Sequence, residues 1–172
     1  RNIWVAEGLT RITKVSDYLA PQVTTVYARD GSIMGYLFRE KRFLVNLESM
    51  PDHRYKAFMA AEDSRFFEHE GVDYQAITRA FIANVRDGDS SQGGSTITQQ
   101  LVKRLLLSPE KSYERKFKEA ILAYRLENYL TKDQILYLYL NNIYLGNSSY
   151  GVEAAPRTYF ANHVDQLTLA ES

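Results

Sequence analysis

Apolar side chains change their spacing twice along the chain. Over residues 1–20 they stand at Ile3, Leu9, Ile12, Val15 and Leu19 among basic ones, which predicts a weak amphipathic helix. After "APQ" the spacing shortens. "VTTVYARDGSIMGYLF" holds two β-rich runs around Asp30-Gly31, a hairpin signal, and "RFLVNL" offers a third strand. From Pro51 onward the spacing is helical. "DHRYKAFMAAEDSRFFEHEG" predicts a helix stopped by Gly71. In "DYQAITRAFIANVRDG" the apolar residues Tyr74, Ile77, Phe81 and Val85 share one face, with Asp73 as cap and Gly88 as stop.

"DGDSSQGG" then reads as a flexible loop. Thr96 and Gln99 have the spacing of a capping box and open a helix to about Leu107. Ser108-Pro109 is expected to cap the next helix, running to about Leu130. Thr131 and Gln134 repeat the box, their helix closing at Gly146, and a last helix is expected near 151–161. The predicted fold is mainly α with a small β-rich segment near the N-terminus. It divides into a membrane-proximal segment 1–20, a β-rich segment 21–50 and a helical domain 51–172.

Composition narrows the class. Lys plus Arg and Asp plus Glu are both 21, so no net field favours nucleic acid. The 13 tyrosines suit a surface that is part wet and part apolar, such as a membrane edge. With no cysteine there is neither disulfide nor thiolate metal site, which permits an oxidising compartment. No apolar run reaches the roughly 18 residues a membrane helix needs. The opening Arg1 and closing "LTLAES", resembling the first turn of a helix, suggest a piece of a longer protein with its anchor elsewhere.

Two carboxylates are candidates for chemistry. On a continuous helix, Glu62 has Phe58 and Met59 one turn before it and Arg65 and Phe66 one turn after. That setting partly desolvates a carboxylate, as acid/base catalysis requires; a surface glutamate paired with Arg65 is the competing reading. His69 is expected at the helix C-terminus in a structural role. With no second His within a turn, a His-based metal site is not expected. Glu119 lies off the apolar face of Phe117, Ala120, Ile121 and Tyr124, with Arg115 one turn before it as its cation.

Between them lies "GGSTITQQLVKR". Gly93 and Gly94 entering a helix present free N–H groups and the positive end of a dipole, an anion site. Ser95, Thr96 and Thr98 add hydroxyls, and Gln100, Lys103 and Arg104 follow within two turns. The order is not that of a nucleotide-binding loop. A solvated basic face is the competing reading. Leu105, Leu106 and Leu107, with Phe81, Ile82 and the "YLYLNNIYLG" aromatics, could touch lipid, although such stripes more often line a core.

Five blocks in fixed order resemble the peptidoglycan glycosyltransferases of class A penicillin-binding proteins and their monofunctional relatives. They are "EDSRFFEHEG" (62–71), "GGSTITQQLVK" (93–103), "RKFKEAILAYRLE" (115–127), "KDQILYLYLNNIYLG" (132–146) and "GVEAAPRTYF" with "LTLAES" (151–172). The leader from Val23 to Pro51 resembles the bifunctional members, which implies a transpeptidase domain downstream. Three positions depart from the family pattern: Arg104 replaces Asn, Ala161-Asn162 replaces Gly-Lys, and Ser64 replaces a common Arg.

The resemblance implies a lysozyme-like α fold with a head and a smaller lobe that dips into the bilayer. It places the chain on the outer face of the bacterial cytoplasmic membrane. Its substrates would be lipid II and the growing glycan chain. Glu62 matches the general base. Gly93, Ser95, Thr96, Gln100, Lys103 and Arg115 match the donor and pyrophosphate site. Glu119 matches the second glutamate, placed near the pyrophosphate with a divalent cation (Mg or Mn) or water between them. No organic cofactor is expected. A lysozyme-like hydrolase or lytic transglycosylase also uses a helix-borne glutamate, but has no reason for a phosphate site at Lys103 and Arg115. A scaffold that only binds lipid II would not need both carboxylates.

Overall fold

The computed structural model describes residues 20–88, 93–107, 112–168 and 171. The helix expected in 1–20, most of the loop at 89–92 and the Ser108-Pro109 cap lie outside the described residues. The fold is mainly α. Its helices are Asp52–Glu62 (α1), Tyr74–Asp87 (α2), Ile97–Leu106 (α3), Tyr113–Glu127 (α4), Lys132–Asn142 (α5) and Ala154–Tyr159 (α6). Its strands are Thr24–Tyr27 (β1), Ile33–Leu37 (β2), Lys41–Arg42 (β3) and Ser149–Tyr150 (β4). Lys56–Leu136 belongs to one compact unit, and Leu19–Tyr55 with Tyr137–Ser172 forms a second.

Local capping explains most boundaries in the first unit. The Asp73 carboxylate accepts from Ala76 N–H at 2.9 Å and starts α2, which Gly88 ends in the left-handed conformation at φ +67°. Thr96 and Gln99 form the reciprocal box at the start of α3. Thr131 and Gln134 do the same for α5, with N–H···O distances of 2.9 and 3.3 Å. The helix expected from Ser108 starts instead at Tyr113, where Ser112 Oγ accepts from Arg115 N–H. α3 packs on α4, and the core is built from Phe66, Ile97, Leu101, Val102, Ala123, Leu126, Ile135 and Leu136.

Two expectations fail in this unit. α1 stops at Glu62, not at Gly71, and 63–70 is a series of turns. Asp63 is the cause: its buried carboxylate bonds to Ile97 N–H at 3.0 Å and to His69 Nε2 at 2.9 Å, distant partners that a continuing helix would not reach. The apolar face of α2 is also uncovered, with Tyr74, Phe81, Ile82 and Val85 each more than half exposed. The part of the α5 stripe that belongs to the second unit does line a core, as Leu138, Tyr139 and Leu140 are buried.

In the second unit β1 and β2 form the expected antiparallel hairpin, with Gly31 at φ +84° in its turn. The third strand expected over "RFLVNL" is not formed beyond Arg42: β3 covers Lys41–Arg42 alone, leaves the hairpin and pairs in parallel with β4. Arg42 is the buried centre here, donating to Asn141 O at 2.9 Å, Pro21 O at 2.7 Å and Glu40 at 2.7 Å. The Asn141 amide clasps the Val45 backbone from both sides, at 2.9 Å each. α5 ends at Asn142, before the expected Gly146, and α6 covers only 154–159 of the expected 151–161. Just beyond, Ala161 takes the left-handed conformation at φ +53°, a region that favours glycine.

Candidate active site

All the candidate residues belong to the first unit. Glu62 is the last residue of α1 and is exposed. The desolvated setting expected between Phe58 and Phe66 is therefore absent. α1 ends before Phe66, which turns wholly into the core. A polar brace replaces it: Gln100, on α3, donates from Nε2 to Glu62 Oε2 at 2.8 Å.

The buried carboxylate is Glu119, at 2% exposure. Its cation is not the expected Arg115 but Lys116, three positions before it, whose Nζ bonds Glu119 Oε1. The same Nζ donates to Ser95 Oγ at 2.9 Å. Glu119 Oε2 is buried without a hydrogen-bond partner. An orphaned carboxylate oxygen in a dry setting costs roughly 1–3 kcal/mol, so it calls for a proton donor, water or cation. Sequence reasoning missed Lys116; the signal was its i,i+3 spacing to Glu119, as favourable as the i,i+4 spacing of Arg115.

The start of α3 differs from the open anion site that Gly-Gly suggested. Thr96 N–H donates to Gln99 Oε1, Ile97 N–H to Asp63 Oδ2 and Gln99 N–H to Thr96 Oγ, at 3.0, 3.0 and 3.1 Å. Those N–H groups are already satisfied by the protein. The hydroxyls of Thr96 and Thr98 are buried as well, donating to Gly71 O and Glu127 Oε1, each at 2.6 Å. Thr96 thus holds the helix start in place, while Ser95 stays half-exposed and Gly93 exposed. Gly94 packs close, since a Cβ there would meet Ile77 Cα at 2.9 Å. Lys103 is exposed in the last turn of α3 and Arg115 half-buried in the first turn of α4.

One short segment therefore serves both carboxylates. Gln100 reaches Glu62, and Ser95 reaches the ammonium that holds Glu119. No cluster of three or more His, Cys, Asp or Glu able to hold a metal occurs among the described residues. A cation at Glu119 would therefore draw one oxygen from this chain and the rest from phosphate and water, a ligand set that magnesium tolerates. No described helix is long and apolar enough to cross a membrane.

The first unit thus brings an exposed, amide-braced carboxylate and a buried, lysine-held one to the two ends of one short segment, Ser95 to Gln100. A family model described as Transglycosylase matches residues 30–172. The chain belongs to that family, the peptidoglycan glycosyltransferases carried by class A penicillin-binding proteins. Penicillin-binding protein 1A of Aquifex aeolicus (strain VF5) is 48% identical over 158 residues, covering 92% of this chain and 22% of that protein. Penicillin-binding protein 1A of Escherichia coli (strain K12) is 51% identical over 146 residues, covering 85% and 17%. The chain thus spans about a fifth of the length of these relatives. A solved structure of Penicillin-binding protein 1A from Haemophilus influenzae aligns over 90% of this chain and 13% of that one, at 24% identity and a TM-score of 0.37.

Proposed function

We propose that this domain polymerises lipid II into glycan strands, with Glu62 as general base. The observation that carries the reading is the segment from Ser95 to Gln100, which braces Glu62 at one end and the Lys116–Glu119 pair at the other. The Gln100 bond occupies one oxygen of Glu62 and leaves the other to take the proton from the acceptor 4-hydroxyl. That hydroxyl oxygen attacks the anomeric carbon of the growing chain. The carbon–phosphate-oxygen bond breaks, the polyprenyl pyrophosphate leaves with the electron pair, and the new β-1,4 bond forms with inversion. Glu62 is exposed in the free protein, so its desolvation comes with the sugar rings that cover it.

The leaving group needs positive charge. Lys103, Arg115 and Lys116 supply it from two packed helices, with Ser95 as a hydroxyl contact. Glu119 Oε2 would hold a divalent cation, whose chemistry is to neutralise charge developing on the pyrophosphate. The uncovered face of α2, together with exposed Phe117 and Tyr124 on α4, fits contact with the bilayer that carries the substrate. We place the domain on the outer face of the cytoplasmic membrane. The length of the relatives leaves room for the transpeptidase domain we expect in the full protein.

The test incubates the full-length membrane protein with labelled lipid II and a divalent cation. Glycan polymer should form, and Glu62→Gln should abolish it without lowering the melting temperature. Near-normal polymerisation by Glu62→Gln would remove Glu62 as the base. Cleavage of finished glycan without polymerisation would favour the hydrolase.

A further inference from the structure

Close in sequence to the braced carboxylate, at 63–71, a largely buried ionic cluster gathers that the proposed chemistry does not use. Lys132, the first residue of α5, sends its Nζ to Glu127 Oε2 at 2.7 Å and Oε1 at 2.8 Å, and to His69 O at 2.6 Å. The same ammonium lies 4.6 Å from the centroid of the buried Phe66 ring. Glu127 is 7% exposed and ends α4; its Oε1 also accepts from Thr98 Oγ of α3 at 2.6 Å. His69 Nδ1 accepts from Gly71 N–H at 3.2 Å, so the ring proton sits on Nε2 and points at Asp63, the residue that follows Glu62.

A buried ion pair has a doubtful net value for stability, because desolvating two charges consumes much of their attraction. What this pair does have is reach. One ammonium and one carboxylate join the starts or ends of three helices to the 63–71 turns. Two of the joined parts carry the Glu62 brace: the turns lead out of Glu62 through Asp63, and α3 carries Gln100 two residues beyond Thr98. Moving either part would open the 2.8 Å contact between Gln100 and Glu62.

We propose that Lys132 and Glu127 are positioning residues for glycosyl transfer, a buried clamp that fixes α3 against the 63–71 turns and so sets Gln100 against Glu62. The clamp rests on the reading of Glu62 as the base. It touches no substrate. Its effect therefore falls on the chemical step and leaves lipid II binding alone. A shift on the order of 1 Å in a reacting group costs up to about 100-fold in rate.

The experiment measures kcat and KM for polymerisation of labelled lipid II by full-length enzyme, with melting curves recorded alongside. Thr98→Val removes the hydroxyl that ties α3 to Glu127 while keeping the side-chain shape, and Lys132→Met removes the ammonium. Each should lower kcat by roughly 10- to 100-fold, with KM within about twofold, at a temperature where the variant is folded. Thr98→Ser should restore most of the rate, and the double variant should be no slower than the slower single one. If Lys132→Met does not fold, Thr98→Val decides alone. A kcat within about twofold of the parent in Thr98→Val, whatever its melting temperature, overturns the clamp. So does a Thr98→Ser variant as slow as Thr98→Val. Glu62→Gln is assayed in parallel: if it is inactive while Thr98→Val is normal, the clamp alone falls. If Glu62→Gln is itself near-normal, the base reading falls and takes the clamp with it.

Discussion

Gly71 is where the turns after Glu62 meet the C-terminal part of α4, and replacing it with alanine tests how rigid that meeting is. Two costs can be worked out. The residue sits at φ +85°, a conformation that costs an L side chain about 1–2 kcal/mol. An added Cβ would also lie 2.6 Å from Ala123 C and 2.7 Å from both Ala123 O and Tyr124 N. Carbon contacts relax at about 3.5–4.0 Å, so the overlap is near 1 Å, against helix backbone that cannot swing aside. Overpacking of this kind costs roughly 1–3 kcal/mol. Together Gly71→Ala should lose about 2–5 kcal/mol, read by urea unfolding, and roughly 5–15 °C in melting temperature. Gly88→Ala is the control: φ +67° but open space around the Cβ, so only about 1 kcal/mol should be lost. Equal losses at the two positions would refute the reasoning, since the contact with α4 would then contribute nothing.

Four further substitutions probe separate features. Ala161→Gly relieves the left-handed φ of +53° and should raise stability by about 0.5–1 kcal/mol in the same assay. Lys116→Met strands Glu119, at 2% exposure, without its ammonium and should cost about 1–3 kcal/mol, the half-exposed lysine keeping the figure below that of a fully buried pair. Lys118→Met removes the exposed pair with Glu114 and should change stability far less than Lys116→Met. Asp73→Ala removes the cap of α2 and should cost about 1 kcal/mol at neutral pH. Burial pushes the Asp73 carboxyl up, but the Ala76 N–H and the Arg65 guanidinium outweigh it and hold it below its ordinary 3.8. A depressed folded value means the stabilisation is complete above that ordinary value and is lost as pH falls beneath it. The difference between parent and Asp73→Ala should accordingly shrink only below about pH 4, as acid titrations of unfolding will read.

What the sequence disclosed followed the range of the interaction that fixed each feature. The capping boxes at Thr96 and Thr131 were readable because each closes within three residues, and the hairpin because Asp30-Gly31 decides it locally. Glu62 and Glu119 were readable as carboxylates in a recognisable order, but their environments were exchanged. Burial depends on where α1 stops, and that is decided by Asp63 reaching Ile97, thirty-four positions away. A helical pattern continued through Phe66 puts an aromatic beside Glu62; the Asp63 bonds end the helix first and send Phe66 into the core. The same limit hid the parallel pairing of Lys41 with Ser149 and the Lys132 bond to His69 O. The spacing on α2 correctly announced an apolar face but carried no information about what would cover it. That asymmetry bears on the site itself. Among the described residues Gln100 bonds Glu62, Lys116 bonds Glu119 and Ser95 holds Lys116; all three are types common on helix surfaces, and only their tertiary placement distinguishes a brace from a solvated side chain. Substitutions at these three positions should therefore affect catalysis more than their ordinary surface character suggests.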